Sequence, residues 1–458
     1  MDSDAFSLVR EVFDHLDGTV PREGFEETTH ARRLFAHLER SGGRVEAIAE
    51  PESFRTPIAD LGCWSEDPWG DPTYAIDSST TRPFEYTNGL ITDTAYAKLG
   101  VGGPDADRTP ERAGTIKTVA YYDDDEATLY NESFGDTVAD MAEADVDGDR
   151  EGAGEREREG QHSLTAELVP FKAATARTRT LSKAVSAVAQ YLAEGEHARR
   201  HLDTIDDGIL FLDGSLYPLG VLYWVVMDHI GETSPASSWE RPREIVENYI
   251  EVIDRQYERN LPVVGIVKTS TTSQMVDALE TKIKRHDVTD DNGLRPDVPW
   301  TRDHQFIAEV LRSEDLDQFT YTSWFVSTGL GIDAGTDDAE LLDPFADSLE
   351  HGTPDQYRRA FFFVRLPRSE FLLRVEAPLL FVIEEETRRE IRYKALSEIA
   401  KRRDVPYAVT RADRIARITT ENRESMRRLL DSSQPSMDYN WDGRWSEDDA
   451  TELDVTEG

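Results

Sequence analysis

The chain has 458 residues and a formal charge of −40, from 91 acidic and 51 basic residues, of which only nine are lysine. A surface this acidic repels itself in dilute buffer but is screened in molar salt, where the Debye length falls to about 3 Å, so the charge points to a halophilic habitat more than to a partner. It excludes nucleic-acid binding driven by counterion release alone, and the single Cys63 excludes a disulfide framework and a cysteine-rich zinc site.

Hydrophobic residues make up 38% of the chain, enough for a sizeable core. No window approaches the apolar length of a membrane span, and MDSDAFSLVREVF lacks a basic-then-apolar leader, so a soluble, cytoplasmic protein with no membrane partner is expected. Residues 1–48 are predicted to be an N-terminal helical segment, through FSLVREVFDHL and the amphipathic RRLFAHLERSG. A loop over 51–72 leads to a short apolar strand, 74–76, ending in Asp77-Ser78-Ser79. Residues 83–100 carry no clear pattern. A strand follows in TIKTVAYY, with ATLYNESF (127–134) as its hairpin partner. Residues 136–161 lose their apolar anchors and read as a solvated, disordered acidic insertion.

Helical periodicity covers 173–201, with Leu181, Val185, Val188 and Leu192 on one face. The strand Ile209-Leu210-Phe211-Leu212 then ends in Asp213-Gly214, and an apolar run fills 219–230. A helix (242–259), a strand (PVVGIVK, 262–268), a helix (QMVDALETKI) and a short helix (HQFIAEVL) come next. Residues 319–329 read as one strand and 332–356 as a second acidic loop. AFFFVRL and FLLRVEAP form a hairpin, with LLFVIEE (379–385) as a further apolar run. A charged helix (386–403), a strand near 406–410, a helix (411–431) and an acidic tail close the chain. Strands that alternate with helices, some of them neighbours in sequence, imply a mixed sheet with helices on its faces.

The chemistry lies at strand ends, where open α/β sheets place their sites. Asp77 and Asp213 both follow apolar strands, and we expect them to meet in space and hold a divalent cation as hard oxygen ligands. The competing readings are turn capping for Asp77 and an Asp-Gly hairpin for Asp213. Lys268 ends its strand as a point charge suited to a phosphate, or as a snorkelling lysine. Asp413 is expected to open the last helix, as a ligand or as an ordinary dipole-complementing cap. Glu376 and Asp303 are further carboxylates with less support from position. A dispersed carboxylate set without GxxxxGK[ST], GxGxxG, GxSxG or HExxH suits metal-assisted phosphodiester hydrolysis with one or two ions.

The order AIDSS, FLDGSL, PVVGIVKTS, FFFVRL with FLLRVEAP, and PYAVTRADRIARI resembles the NurA nuclease family, over roughly residues 45–430. The resemblance implies an α/β, ribonuclease H-like fold: a mixed central sheet flanked by helices, with additional helices and acidic insertions. It places a nuclease domain at 49–430 and an acidic disordered tail at 431–458. It also implies Mn²⁺-dependent single-strand endonuclease and 5′-to-3′ exonuclease activity on DNA, where the aspartates' hard oxygens would also suit Mg²⁺, a homodimer, and a HerA-type hexameric ATPase as partner in resecting double-strand breaks. Asp77 and Asp213 match the family's metal-binding aspartates and Lys268 its strand-end lysine, and Asp413 falls where the family more often has histidine. The family's helical glutamate has no clean counterpart. Glu194, Glu196 and Glu167 are the alternatives, and Glu194 is preferred for metal binding because its spacing from Asp213 leaves room for one chain reversal. Two other functions stay open: a catalytically degenerate adaptor of the same translocase, and an actin-like ATPase or sugar kinase whose Gly-rich turn would be STGLGIDAG.

Overall fold

The computed structural model describes residues 8–10, 12–13, 25–61, 68–70, 72–86, 88–103, 113–122, 164–172, 178–268, 272–290, 292–328, 341–367 and 371–433. The hairpin partner expected at 127–134, the insertion at 136–161, most of STGLGIDAG and the tail beyond 433 lie outside these residues.

In chain order the elements are α1 (Phe25–Phe35), β1 (Val45–Ala47), β2 (Ser53–Pro57), β3 (Thr73–Thr80), β4 (Phe84–Glu85), β5 (Ile91–Gly102), β6 (Gly114–Tyr121), β7 (Leu164–Pro170), α2 (Thr178–Arg200), β8 (Ile209–Asp213), α3 (Leu219–His229), α4 (Arg241–Glu258), β9 (Val263–Val267), α5 (Gln274–Arg285), α6 (Asp303–Val310), β10 (Gln318–Thr322), β11 (Phe325–Ser327), β12 (Arg359–Arg365), β13 (Leu372–Pro378), α7 (Leu379–Val382), α8 (Glu385–Arg402), α9 (Tyr407–Ala416) and α10 (Thr420–Ser433). No helix among the described residues is long and apolar enough to cross a membrane.

Several expectations are corrected. Residues 45–47 and 53–57 are strands, not helix and loop, and the single strand expected over 319–329 is broken between β10 and β11. Residues 379–382 are helical. The strand expected at 406–410 is the first turn of α9, and Asp413 sits inside that helix, not at the start of the last one. Pro406 caps α9, with its ring fixing the entry φ. Ala408, Val409, Ala412 and Ala416 then bury one helical face at spacings of one, four and eight. The unpatterned stretch 83–100 holds most of β5, the longest strand among the described residues. Its glycines and Lys98 mask the alternation, although Ala95, Ala97, Leu99 and Val101 are all buried.

The chain divides into two compact units: residues 1–58, 269–327 and 362–373 form the smaller, and 59–268, 328–361 and 374–458 the larger. In the smaller unit β1 pairs antiparallel with β11, and β10 pairs antiparallel with β2. Phe35 packs edge-on to Phe325, with ring centroids 5.6 Å apart, and the Thr28 hydroxyl donates to Glu309 at 2.8 Å.

The larger unit holds a mixed sheet in the order β13-β9-β8-β3-β5-β6-β7, with β4 on β5. Its centre is parallel, β8 running alongside both β3 and β9, whereas β13 and β5 pair antiparallel on either side of that centre. The β8 side chains 209–212 are buried, as a strand covered on both faces requires. Helix α9 lies against β5 so closely that a Cβ on Gly100 would stand 2.5 Å from both Ala408 O and Ala412 N. Gly100 is opposite Ala75 and Lys98 opposite Asp77, so the face under α9 is the one that carries Asp77. Ser78 points to the other face, where it meets α2.

Candidate metal centre

Strand β3 runs on for three residues past Asp77, held by β5, but its ladder with β8 stops at the Ile76–Leu212 pair. Asp77 and Asp213 are therefore the next two residues of a parallel register, on strands about 4.8 Å apart, with side chains on the same face. Beyond them β8 turns away at Gly214, whose φ is +128°. Lys268, just past the end of β9 and in step with Asp213, donates from Nζ to Asp213 Oδ2 at 2.6 Å.

Glu194 arrives from α2. Its Oε1 accepts from the Ser78 hydroxyl at 2.7 Å and from Gln190 Nε2 at 3.0 Å, and its Oε2 accepts from Tyr249 OH of α4 at 3.1 Å. Ser78 is also tied to the site through its backbone N–H, which donates to Asp77 Oδ1 at 2.8 Å.

The electrostatics are those of crowded, desolvated acids. Burial, followed by the charges of Asp213 and Glu194, pushes the Asp77 carboxyl up to about 9 against the pull of Lys268 and the Ser78 N–H. Burial raises Glu194 to about 7, opposed by its three hydrogen-bond donors. At Lys268 burial disfavours the charge, but the hydrogen bond to Asp213 and the charges of Asp213, Asp77 and Asp413 outweigh it and hold the ammonium above its usual value. Asp413 is exposed on α9 and acts on Lys268 through this field.

The other carboxylates stand elsewhere. Glu167 and Glu196 both pair with buried Lys117. Asp303 is fully buried in the smaller unit, where it caps the start of α5 by accepting from Met275 N at 2.8 Å and Val276 N at 3.2 Å. Glu376 faces the opposite side of the sheet from Asp213. It accepts from Leu216 N at 3.0 Å and from the Ser215 hydroxyl at 2.8 Å, beside Arg374 at 3.0 Å and Arg359 at 3.4 Å. Sequence reasoning did not single out Ser78, Gln190 or Tyr249. Gln190 and Glu194 form an i, i+4 pair that a helix reading can find, but Tyr249 is 55 positions from Glu194 and leaves no local signal.

A buried all-carboxylate set that retains a proton on Asp77 up to about 9 fits a hard, oxygen-binding divalent cation. Among the described residues only Glu258, Glu350 and His351 bring three ligand atoms within 4.8 Å of one another, so at least one pair among Asp77, Asp213 and Glu194 stands further apart than that. Glu258 and Glu350 are exposed, however, and nothing desolvates them as burial does Asp77.

The NurA domain model matches residues 71–418. No curated protein matches the chain. The crystal structure of the NurA nuclease from Sulfolobus solfataricus is 11% identical, with a TM-score of 0.43 and coverage of 94% of this chain and 97% of that one. A structure of NurA with manganese is 9% identical, with a TM-score of 0.36 and coverage of 94% and 99%. NurA bound to dAMP and manganese is 11% identical, with a TM-score of 0.31 and coverage of 82% and 91%.

Proposed function

The chain belongs to the NurA family, and on that premise we propose that it is a metal-dependent DNA nuclease with Asp77, Asp213 and Glu194 at its centre. One observation carries this: two aspartates one step beyond the Ile76–Leu212 register, with Asp77 pushed up to about 9 by burial and by its acidic neighbours. Structural carboxylates are normally paired or solvated, and a buried cluster with a single lysine implies a cationic occupant.

Asp77, Asp213 and Glu194 would hold Mn²⁺ or Mg²⁺, with Asp413 at the outer edge. When bound, such an ion supplies Lewis-acid polarisation of a phosphodiester and lowers the pKa of water. Asp77 and Glu194, which retain protons to about 9 and about 7, would have to lose them to act as ligands. Ser78, Gln190 and Tyr249 orient Glu194, and the Ser78 N–H orients Asp77. Lys268 pairs with Asp213, and its ammonium would be placed to hold a phosphate oxygen.

Single-strand endonuclease and 5′-to-3′ exonuclease action, a ribonuclease H-like core, a homodimer, and work with a HerA-type hexameric ATPase in end resection belong to the same proposal, supported by the order of motifs along the chain. The adaptor alternative rests on the missing helical glutamate and on the aspartate at position 413, and Glu194 standing between Ser78 and Tyr249 weakens the first ground. Cleavage of single-stranded DNA in high-salt Mn²⁺ buffer tests the proposal. We expect activity from the purified wild type that chelator abolishes, and a chain that neither binds Mn²⁺ nor cleaves overturns it.

A further inference from the structure

The turn that follows Asp213 is held from beneath by a buried ion cluster on the far face of the sheet. Gly265 of β9 lies opposite Glu376 of β13, and the missing side chain of Gly265 makes room for the turn. A Cβ there would stand 2.8 Å from Gly214 O and 2.9 Å from Leu216 N. Into that space Glu376 Oε2 accepts both the Leu216 N–H and the Ser215 hydroxyl, at 3.0 and 2.8 Å. Glu376, Arg359 and Arg374 are each no more than 2% exposed. The guanidinium of Arg374 lies 3.9 Å from the centroid of the Phe361 ring, which fixes it in turn. On the other side of the turn Gly214 N donates to Ile266 O at 3.0 Å, and Tyr217 OH donates to Tyr357 O at 2.8 Å. Residues 214–217 are thus tied down one after another, directly behind a carboxylate at the end of its strand.

We propose that Glu376 is a positioning residue, clamping the Ser215-Leu216 turn so that the Asp213 carboxylate is presented beside Asp77 in the geometry that binds the metal. The inference rests on the metal-centre proposal above. A carboxylate on the last residue of its strand, paired with β9 but not with β3, is free to swing unless the chain behind it is anchored, and metal affinity depends on such preorganisation as well as on ligand identity. A purely structural role for Glu376 would set the stability of the sheet and leave metal affinity alone.

The test is Mn²⁺ titration by calorimetry on the full chain, alongside melting curves in chelator, for Ser215→Ala, Glu376→Gln and Asp213→Asn. Ser215→Ala removes one bond to Glu376 and leaves the arginine pairs intact. It is expected to weaken Mn²⁺ binding about three- to tenfold with little change in melting temperature. Glu376→Gln is expected to weaken binding by about tenfold or more. If the buried arginines prevent that variant from folding, Ser215→Ala carries the test alone. In an Asp213→Asn background Ser215→Ala should weaken binding no further, because its effect runs through Asp213. A wild type that binds Mn²⁺ and folded variants that bind it equally well overturn this inference alone, as does an unchanged Ser215→Ala penalty in the Asp213→Asn background. A wild type that takes up no Mn²⁺ overturns the metal-centre proposal and this inference with it.

Discussion

The Ser78 hydroxyl donates to Glu194 Oε1 at 2.7 Å across 116 positions of sequence, fastening α2 to the strand beside Asp77. The adjacent Ser78 N–H holds Asp77 Oδ1 at 2.8 Å. One residue thus orients two acids, by its side chain on one face of the sheet and by its backbone toward the other. The three carboxylates are a single electrostatic unit, and their substitutions should behave as one.

Asp77→Ala and Asp213→Ala are each expected to lower single-strand cleavage in Mn²⁺ more than about 100-fold, since even outer partners of metal ligands cost 10- to 100-fold. Asp413 is exposed and reaches Lys268 only through its field. Asp413→Ala should therefore cost less than about fivefold, the scale of an exposed charge pair. Initial rates at saturating Mn²⁺ check both, and equal losses for Asp413→Ala and Asp77→Ala would count against this ranking.

Retained protons also set the stability of the metal-free protein. In the unfolded chain Asp77 and Glu194 ionise at the ordinary carboxylate values, 3.8 and 4.5, but in the folded state they do so at about 9 and about 7. The folded form binds more protons across that window, so the stability these groups permit is fully present below about pH 4 and is lost as pH rises toward 9. Melting curves in chelator should fall from pH 5 to pH 9. Asp77→Asn, which carries no charge to desolvate, should flatten that fall and melt several degrees above wild type at pH 8, since about 1 kcal/mol moves a domain this large by about 2 °C. A variant that melts lower than wild type at pH 8 would contradict the burial argument.

What the sequence discloses of this site follows from how local each signal is. Asp213 is legible because four apolar residues and a glycine frame it. Asp77 is legible as a site of chemistry but not as a mid-strand residue, because the three extra residues of β3 are held by β5, whose alternation Lys98 and the glycines hide. Asp413 was placed on the wrong element because Tyr407, Val409 and Thr410 favour strands, while the small residues that let α9 lie on Gly100 are visible only as a helical face. The role of Glu376 depends on which face of β13 it occupies, and that parity is set by pairing with Gly265, more than a hundred residues earlier in the chain.

The fit of α9 over β5 gives a packing prediction. A methyl group at Gly100 would meet the backbone of α9 at 2.5 Å in two places, and backbone cannot move aside as a flexible side chain can. Gly100→Ala should lift α9, cost about 1–3 kcal/mol of overpacking, and weaken the hold of Asp413 on Lys268. Gly89, whose Cβ would meet nothing within 4 Å, has a positive φ of 88°, so it tests strain without overpacking. Denaturant unfolding in high salt should show the larger loss for Gly100→Ala, together with a change in Mn²⁺ cleavage that Gly89→Ala does not produce.

Tyr249→Phe isolates the proton at Glu194. The tyrosine hydroxyl donates to Glu194 Oε2 at 3.1 Å, which favours the ionised acid and opposes the burial that raises it. Without that donor Glu194 should hold its proton to a pH above 7, while the ring keeps its packing and folding loses about 1 kcal/mol. Mn²⁺ binding by wild type should release close to two protons below pH 7, one between 7 and 9, and none above 9, as Glu194 and then Asp77 ionise ahead of the metal. In Tyr249→Phe the first of these steps should move to higher pH and the second stay in place. Calorimetry in buffers of differing ionisation enthalpy counts the protons directly. A first step left at the same pH would mean that Tyr249 only packs against Glu194, and a count of zero throughout would mean that neither acid is a ligand.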